Sequence, residues 1–140
     1  MVRSDSISAL NRLLRLAARS FAAYSIEVRR ASYRGPKELW AILQQIAGEQ
    51  QALARRLDEA IRRAGGVPNP GAFPIDFTAW NDVALGRVVE HALELQRRVV
   101  AEIEQAAASL QEHPDWRVIA QDALDEARSH ERLLAEALGV

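Results

Sequence analysis

The sequence predicts an all-α bundle of four long helices arranged as two hairpins, and three observations predict it. Apolar residues recur at about 100° per residue along most of the chain, the period of an amphipathic helix. The seven Gly and five Pro gather mainly at two places, so the helix breakers act as punctuation. The second of those breaks is long enough to carry the chain back along a bundle, the connection that makes the second and third helices parallel. The 140 residues, 49% hydrophobic and 26% charged, are the length of one domain. A chain of this size buries roughly two thirds of the surface that its unfolded form exposes, so its core needs no disulfide or structural metal.

The first predicted helix covers about residues 6–33, with Ile7, Leu10, Leu14, Ala17, Ala18, Phe21, Ser25 and Val28 on one stripe. Gly35-Pro36 ends it. The second covers about residues 36–64, with Pro36 at the first helical position, where its missing N–H costs nothing. Leu39, Ile42, Leu43, Ile46, Leu53, Leu57 and Ile61 carry its stripe, and Gly65-Gly66 stops it. Residues 65–77 are too rich in Pro and Gly for a helix and too long for a tight turn. Extended, they reach on the order of 40 Å at ~3.3 Å per residue, about the length of a thirty-residue helix. They are expected to lie along the bundle, where Val67, Phe73, Ile75 and Phe77 find cover. The third helix is predicted at about residues 78–112, with Thr78 as N-cap and Leu85, Val88, Val89, Ala92, Val99, Ile103 and Leu110 inward. His113-Pro114-Asp115 separates it from the fourth, about residues 115–138, which buries Trp116, Ile119, Ala120, Ala123, Ala127 and Leu134.

Composition removes several functions. The chain has no Cys, which excludes disulfide scaffolds, cysteine-ligated metals and thiol catalysis. Eighteen basic against nineteen acidic side chains leave a net charge of −1, without the footprint of a nucleic-acid binder. No apolar run approaches the roughly 20 residues of a membrane span, and Met1-Val2-Arg3-Ser4-Asp5-Ser6 does not read as a secretory signal. The expectation is a cytoplasmic protein without nucleic-acid or membrane partners. No Gly-rich phosphate loop, nucleophile elbow or H-E-x-x-H occurs.

Leu10-Asn11-Arg12-Leu13-Leu14 followed by Tyr24, Ala54-Arg55-Arg56-Leu57 in the second helix and His130-Glu131-Arg132-Leu133-Leu134 in the fourth together resemble the ferritin-like superfamily of bacterioferritins and rubrerythrins. The likeness covers about residues 7–138. The Ser20-Phe21 and Tyr24 pattern, with the Gly-Gly-Val-Pro crossover, is most similar to uncharacterised bacterial members of that group. The resemblance implies a ferritin-like four-helix bundle, and it implies where a di-iron centre belongs: one Glu from each of two helices and a Glu-x-x-His pair from each of the other two, all facing inward. Those positions fall at Ala17, at Gln50 and Leu53, at Gln96, and at Ala127 and His130. Only His130 keeps a liganding side chain. Neutral amides do not balance the charge of hard iron ions in a low-dielectric core, so the resemblance implies a bundle that has lost the di-iron centre.

The reading is therefore a non-catalytic binding or scaffolding module without a cofactor. Two alternatives stand beside it. One is a metal-binding oxidoreductase or iron-storage-type protein with a single metal ion on His130, Glu126 and Glu49, although Glu49 lies about 80° from the centre of its stripe by the 100° rule. The other is an apolar small-molecule carrier, since Ala17, Leu53 and Ala127 leave either a packed core or a small cavity where charged ligands would be. Gln50, Gln96 and His130 lie on facing stripes and are expected to form a buried polar network, because buried amides and imidazoles need partners.

Other residues carry blander expectations. Arg29, Arg30, Arg34 and Lys37 form a solvated basic corner, His91 and His113 are surface residues, and Tyr24 is a core aromatic with a bonded hydroxyl. Trp40, Trp80, Leu93 and Val100 lie off the stripe centres. They suggest a homodimer through the second helix and the crossover, with Trp40 or Trp80 as anchor; an unknown protein partner, not placed on any surface, is a further expectation.

Overall fold

The computed structural model describes residues 2–29 and 35–140. Its elements are α1 (Val2–Ala18), α2 (Phe21–Arg29), α3 (Lys37–Arg63), a 3-10 helix (Ile75–Trp80), α4 (Leu85–Ala108) and α5 (Pro114–Leu138), with no strand among the described residues. Leu85, at the start of α4, packs against Gly35 just ahead of α3, so α3 and α4 start at the same end of the bundle. This is the parallel arrangement that a long crossover produces.

The core has two contiguous parts. In one, Leu10, Leu13 and Leu14 of α1 meet Leu53, Leu57 and Ile61 of α3, Ile103 of α4 and Ile119 and Ala123 of α5. In the other, Phe21 of α2 meets Leu43 and Ile46 of α3, Leu85, Val88 and Val89 of α4 and Leu134 of α5. Each large aliphatic side chain so buried contributes about 1.5–3 kcal/mol over its exposed state.

The first predicted helix is not continuous. It breaks at Arg19-Ser20, after the last α1 bond from Arg19 N to Arg15 O (2.9 Å). Ser20 then caps α2, its Oγ accepting from Ala23 N (3.1 Å) while its carbonyl accepts from Tyr24 N (3.1 Å). A serine offering its hydroxyl to free N–H groups competes with helix continuation, and the apolar stripe hides this because it keeps its phase across the break. The predicted end of that helix, beyond Arg29, lies outside the described residues.

Pro36 precedes α3 as its N-cap, one position ahead of the expected one. At the other end, Gly66 N bonds Ile61 O (2.9 Å) and Gly65 N bonds Arg62 O (3.0 Å), a Schellman stop that requires the left-handed φ of 83° at Gly65. The third predicted helix begins later than expected. Thr78 is not its N-cap: its Oγ1 donates to Ile75 O (2.7 Å) inside the 3-10 helix, and α4 starts at Leu85. Tertiary contacts decide this. The Tyr24 hydroxyl donates to Asn81 Oδ1 (2.6 Å), and the Arg29 guanidinium, buried at 8% exposure, donates to the carbonyls of Trp80 (2.9 Å) and Val83. The chain is pinned in a turn until residue 84. Helix α4 ends at Ala108 rather than near residue 112, and His113 caps α5, its Nδ1 accepting from Trp116 N (3.4 Å).

The crossover lies along α1 and α2, held largely by hydrogen bonds. Asn11 Nδ2 donates to Val67 O (3.2 Å), its Oδ1 accepts from Asn69 N (2.7 Å), and Arg19 Nε donates to Gly71 O (2.7 Å). Phe73 packs edge-on to Tyr24 and Phe77 edge-on to Phe21, at 5.4 and 5.1 Å between ring centres. Val67 and Ile75 do not find the expected cover and are 79% and 82% exposed. The backbone bonds fix the path of the segment and leave those two side chains pointing outward.

Candidate functional site

The residues singled out at the bundle centre come from four helices. Ala17 lies in the last turn of α1, Gln50 and Leu53 sit one turn apart on α3, Gln96 lies midway along α4, and Ala127 and His130 are one turn apart on α5. All six line one small cavity, together with Leu13, Leu16, Val99, Ile103, Ala123 and Glu126. The volume is about 20 Å³, room for about one water molecule.

The three buried polar side chains share that wall but do not bond one another. Gln50, 5% exposed, accepts through Oε1 from Ser20 Oγ at 2.5 Å. Gln96, 6% exposed, donates from Nε2 to Ala127 O at 3.0 Å. His130, 1% exposed, meets Glu49 Oε1 through Nε2 at 2.7 Å. The expected direct network is replaced by three separate anchors, each tying one helix to another. Sequence reasoning missed Ser20 because a hydroxyl inside an unbroken stripe reads as a tolerated core residue. It grouped Glu49 with His130 as a candidate metal ligand despite its angle, and the structure joins the two by a direct hydrogen bond.

Burial holds the pKa of His130 below 6.5, against the opposing pull of Glu49. A neutral ring that bonds a carboxylate through Nε2 carries its proton there and donates it. Nδ1 then presents a lone pair, and this atom is buried without a partner. Glu126, one turn before His130, is half-buried. Burial first, and the negative charge of Glu49 second, push its carboxyl up to about 7, with Arg56 pulling the other way.

A fixed imidazole with a carboxylate on its far nitrogen is the usual support of a metal-ligating histidine. The remaining positions do not complete a di-iron donor set. Two amides, two alanines and a leucine stand where anionic oxygen or imidazole nitrogen is needed, and only Glu126 adds a carboxyl to the wall. Glu49 is not part of that wall; it meets His130 at Nε2. Among the described residues no three His, Asp or Glu side chains are grouped to share a cation.

The other sequence candidates take local roles. His91 is not simply a surface residue: it stacks on Trp80 at 3.9 Å and meets Phe21 edge-on at 5.0 Å. Arg29 leaves the expected solvated corner for its buried bonds, Lys37 is exposed, and Arg30 and Arg34 lie outside the described residues. Arg56 pairs with Asp122 (2.9 Å), Arg62 with Asp58 (2.7 Å) and Arg63 with Glu59 (2.5 Å). Much of the apolar surplus packs within the chain. Leu93 is buried, Trp40 and Trp80 pack partly buried against one part of the core, and Val100 packs against the other.

No family model matches the chain, and no curated protein matches it. Among solved structures, one described as a ferritin-like, diiron-carboxylate protein from Bacillus anthracis str. Ames superposes with a TM-score of 0.79 at 18% identity, over 99% of this chain and 98% of that one. The architecture is therefore a ferritin-like helical bundle, in agreement with the sequence. At that identity the likeness concerns the fold.

Proposed function

We propose that this chain is a ferritin-like bundle in which side chains have taken over the space of the metal centre, and that it serves as a non-catalytic binding or scaffolding module. One observation carries the reading: the six positions at which the fold family places metal ligands meet around a single cavity of about 20 Å³, and five of them hold Ala17, Gln50, Leu53, Gln96 and Ala127. Metal chemistry needs an open, anionic site with supporting bonds directed at its ligands. Here the buried amides use their bonds to join helices. Ser20–Gln50 ties α2 to α3, Gln96–Ala127 ties α4 to α5, and Glu49–His130 ties α3 to α5.

The single-metal alternative keeps one supporting feature, the unpartnered Nδ1 of His130 with Glu126 one turn away. A carrier with its ligand in the core is disfavoured, because an organic ligand needs roughly 300 Å³ or more. A homodimer remains part of the proposal, now resting on the exposed crossover residues Val67 and Ile75 rather than on Trp80, which is stacked within the chain.

Aerobic oxidation of Fe(II) tests the reading. The expected rate equals that of protein-free buffer, for the wild type and for His130→Ala alike. A faster rate that His130→Ala abolishes would overturn it.

A further inference from the structure

The break between α1 and α2 opens a cleft of about 680 Å³ on the outside of the bundle, between these helices and α3. Its volume is in the range of small-molecule sites. The crossover closes one side with Pro70 and Phe73, and the floor on α3 is Ala47, Gln51 and Ala54, where the two small alanine side chains leave space unfilled. Leu14 and Ile26 add an apolar wall to a lining that is otherwise mixed.

The charges at its edge are unequal. Asp58 is engaged by Arg62 at 2.7 Å. Among the described residues, Arg19 bonds only neutral acceptors, the carbonyls of Gly71 (2.7 Å) and Ala18 (3.3 Å), while its guanidinium lies 5.4 Å over the Phe73 ring. Its positive charge is therefore fixed in place and not cancelled. Arg55 is exposed, and it has no ion-pair partner among the described residues. Against these two guanidiniums the cleft offers one other carboxylate, Glu27 of α2. Apolar patches on the floor and walls, edged by guanidinium that is not paired off, fit a small apolar body with an anionic head, and planar guanidinium forks match carboxylate geometry.

We propose that this cleft binds a small apolar monocarboxylate, its head against Arg55 and Arg19 and its hydrocarbon part on Ala47 and Ala54 beneath Phe73. The cleft shares one lining residue, Ala17, with the central cavity and none of its polar side chains, so metal found at His130 would overturn the proposed function and leave this inference standing.

Titration of the ¹⁵N-labelled full chain with sodium octanoate, octanol and octylamine tests it. Octanoate is expected to give saturable, one-site shifts confined to the cleft, with octanol about five-fold weaker, the size of one exposed ion pair. Arg55→Gln, at an exposed position, should weaken octanoate about two-fold, less than the full loss of the head charge because Arg19 remains, and leave octanol unchanged. Ala54→Leu, checked for an unchanged melting temperature, should abolish both. Overturning results are shifts that do not saturate, octylamine binding as tightly as octanoate, no loss in Arg55→Gln, or shifts gathered instead at the end of the bundle around Trp116.

Discussion

The bond between Ser20 and Gln50 makes a quantitative claim about how the bundle centre is held. Ser20→Ala removes two interactions. The cap on α2 is worth about 0.5–2 kcal/mol. The second loss leaves Gln50 Oε1, on a side chain only 5% exposed, without its donor at 2.5 Å, and a buried acceptor left unpaired costs about 1–3 kcal/mol. The total expected destabilisation is about 2–4 kcal/mol. Gln50→Ala leaves the cap intact, since Ser20 Oγ still accepts from Ala23 N, and should cost about 1–3 kcal/mol through the lost bond and the space left behind. In the double variant no orphaned acceptor remains, so the sum of the single effects should exceed the double effect by about 1–2 kcal/mol. Urea unfolding of the four proteins measures this. The parallel cycle between Gln50→Ala and Gln96→Ala should show a smaller coupling, because their bonds go to Ser20 and to Ala127 O. Additivity of Ser20→Ala and Gln50→Ala within about 0.5 kcal/mol would refute the reasoning, as would a stronger coupling between the two glutamines.

Three further outcomes are expected. Glu126 holds its proton in the folded chain up to about 7 but releases it near 4.5 when unfolded, so its stabilisation is present at low pH and is lost as pH rises through about 7. Glu126→Gln should therefore gain on the wild type progressively across that window. His130, held neutral by burial, acts the other way and costs stability as pH falls below 6.5, so the difference between the two proteins is the quantity to follow; a flat difference from pH 4.5 to 7 would contradict the burial of Glu126. Arg29→Met should lower stability by about 2–4 kcal/mol in thermal or urea unfolding, since the carbonyls of Trp80 and Val83 lose their donor, and a loss below about 0.5 kcal/mol would show that the turn ahead of α4 is held by something else. Sedimentation at micromolar concentration should give a dimer that persists in Trp80→Ala and is weakened by Ile75→Asp, whereas a monomeric mass would reject the dimer.

Much of the fold was legible because apolar periodicity and helix breakers are local signals. The stripes through Leu57, Val88 and Ala120 and the stop at Gly65-Gly66 are visible without any knowledge of neighbours. The departures occur where a distant group decides. Thr78 has the chemistry of an N-cap, yet Arg29 and Tyr24 hold the following residues in a turn and delay α4 to Leu85. Ser20 interrupts a helix without disturbing its stripe. At the centre, the register of the resemblance placed six residues that the fold brings around one cavity, whereas the cavity's size depends on packing that no pattern encodes. Glu49 and His130 were grouped from sequence as candidate metal ligands, but their direct bond was not foreseen, because ideal helical angles describe where a Cβ points, not how far a flexible carboxylate travels. The outer cleft had no sequence signature, because it arises from the break at Arg19-Ser20 meeting small residues on another helix.

A ferritin-like bundle that lacks the donor set of a metal centre, as proposed, holds no resident metal. Metal analysis of protein produced in medium supplemented with iron, manganese and zinc, and purified without chelator, tests it most directly. The account predicts substoichiometric metal of every kind, unchanged by His130→Ala or Glu126→Ala. Stoichiometric iron, manganese or zinc that either substitution removes would contradict it.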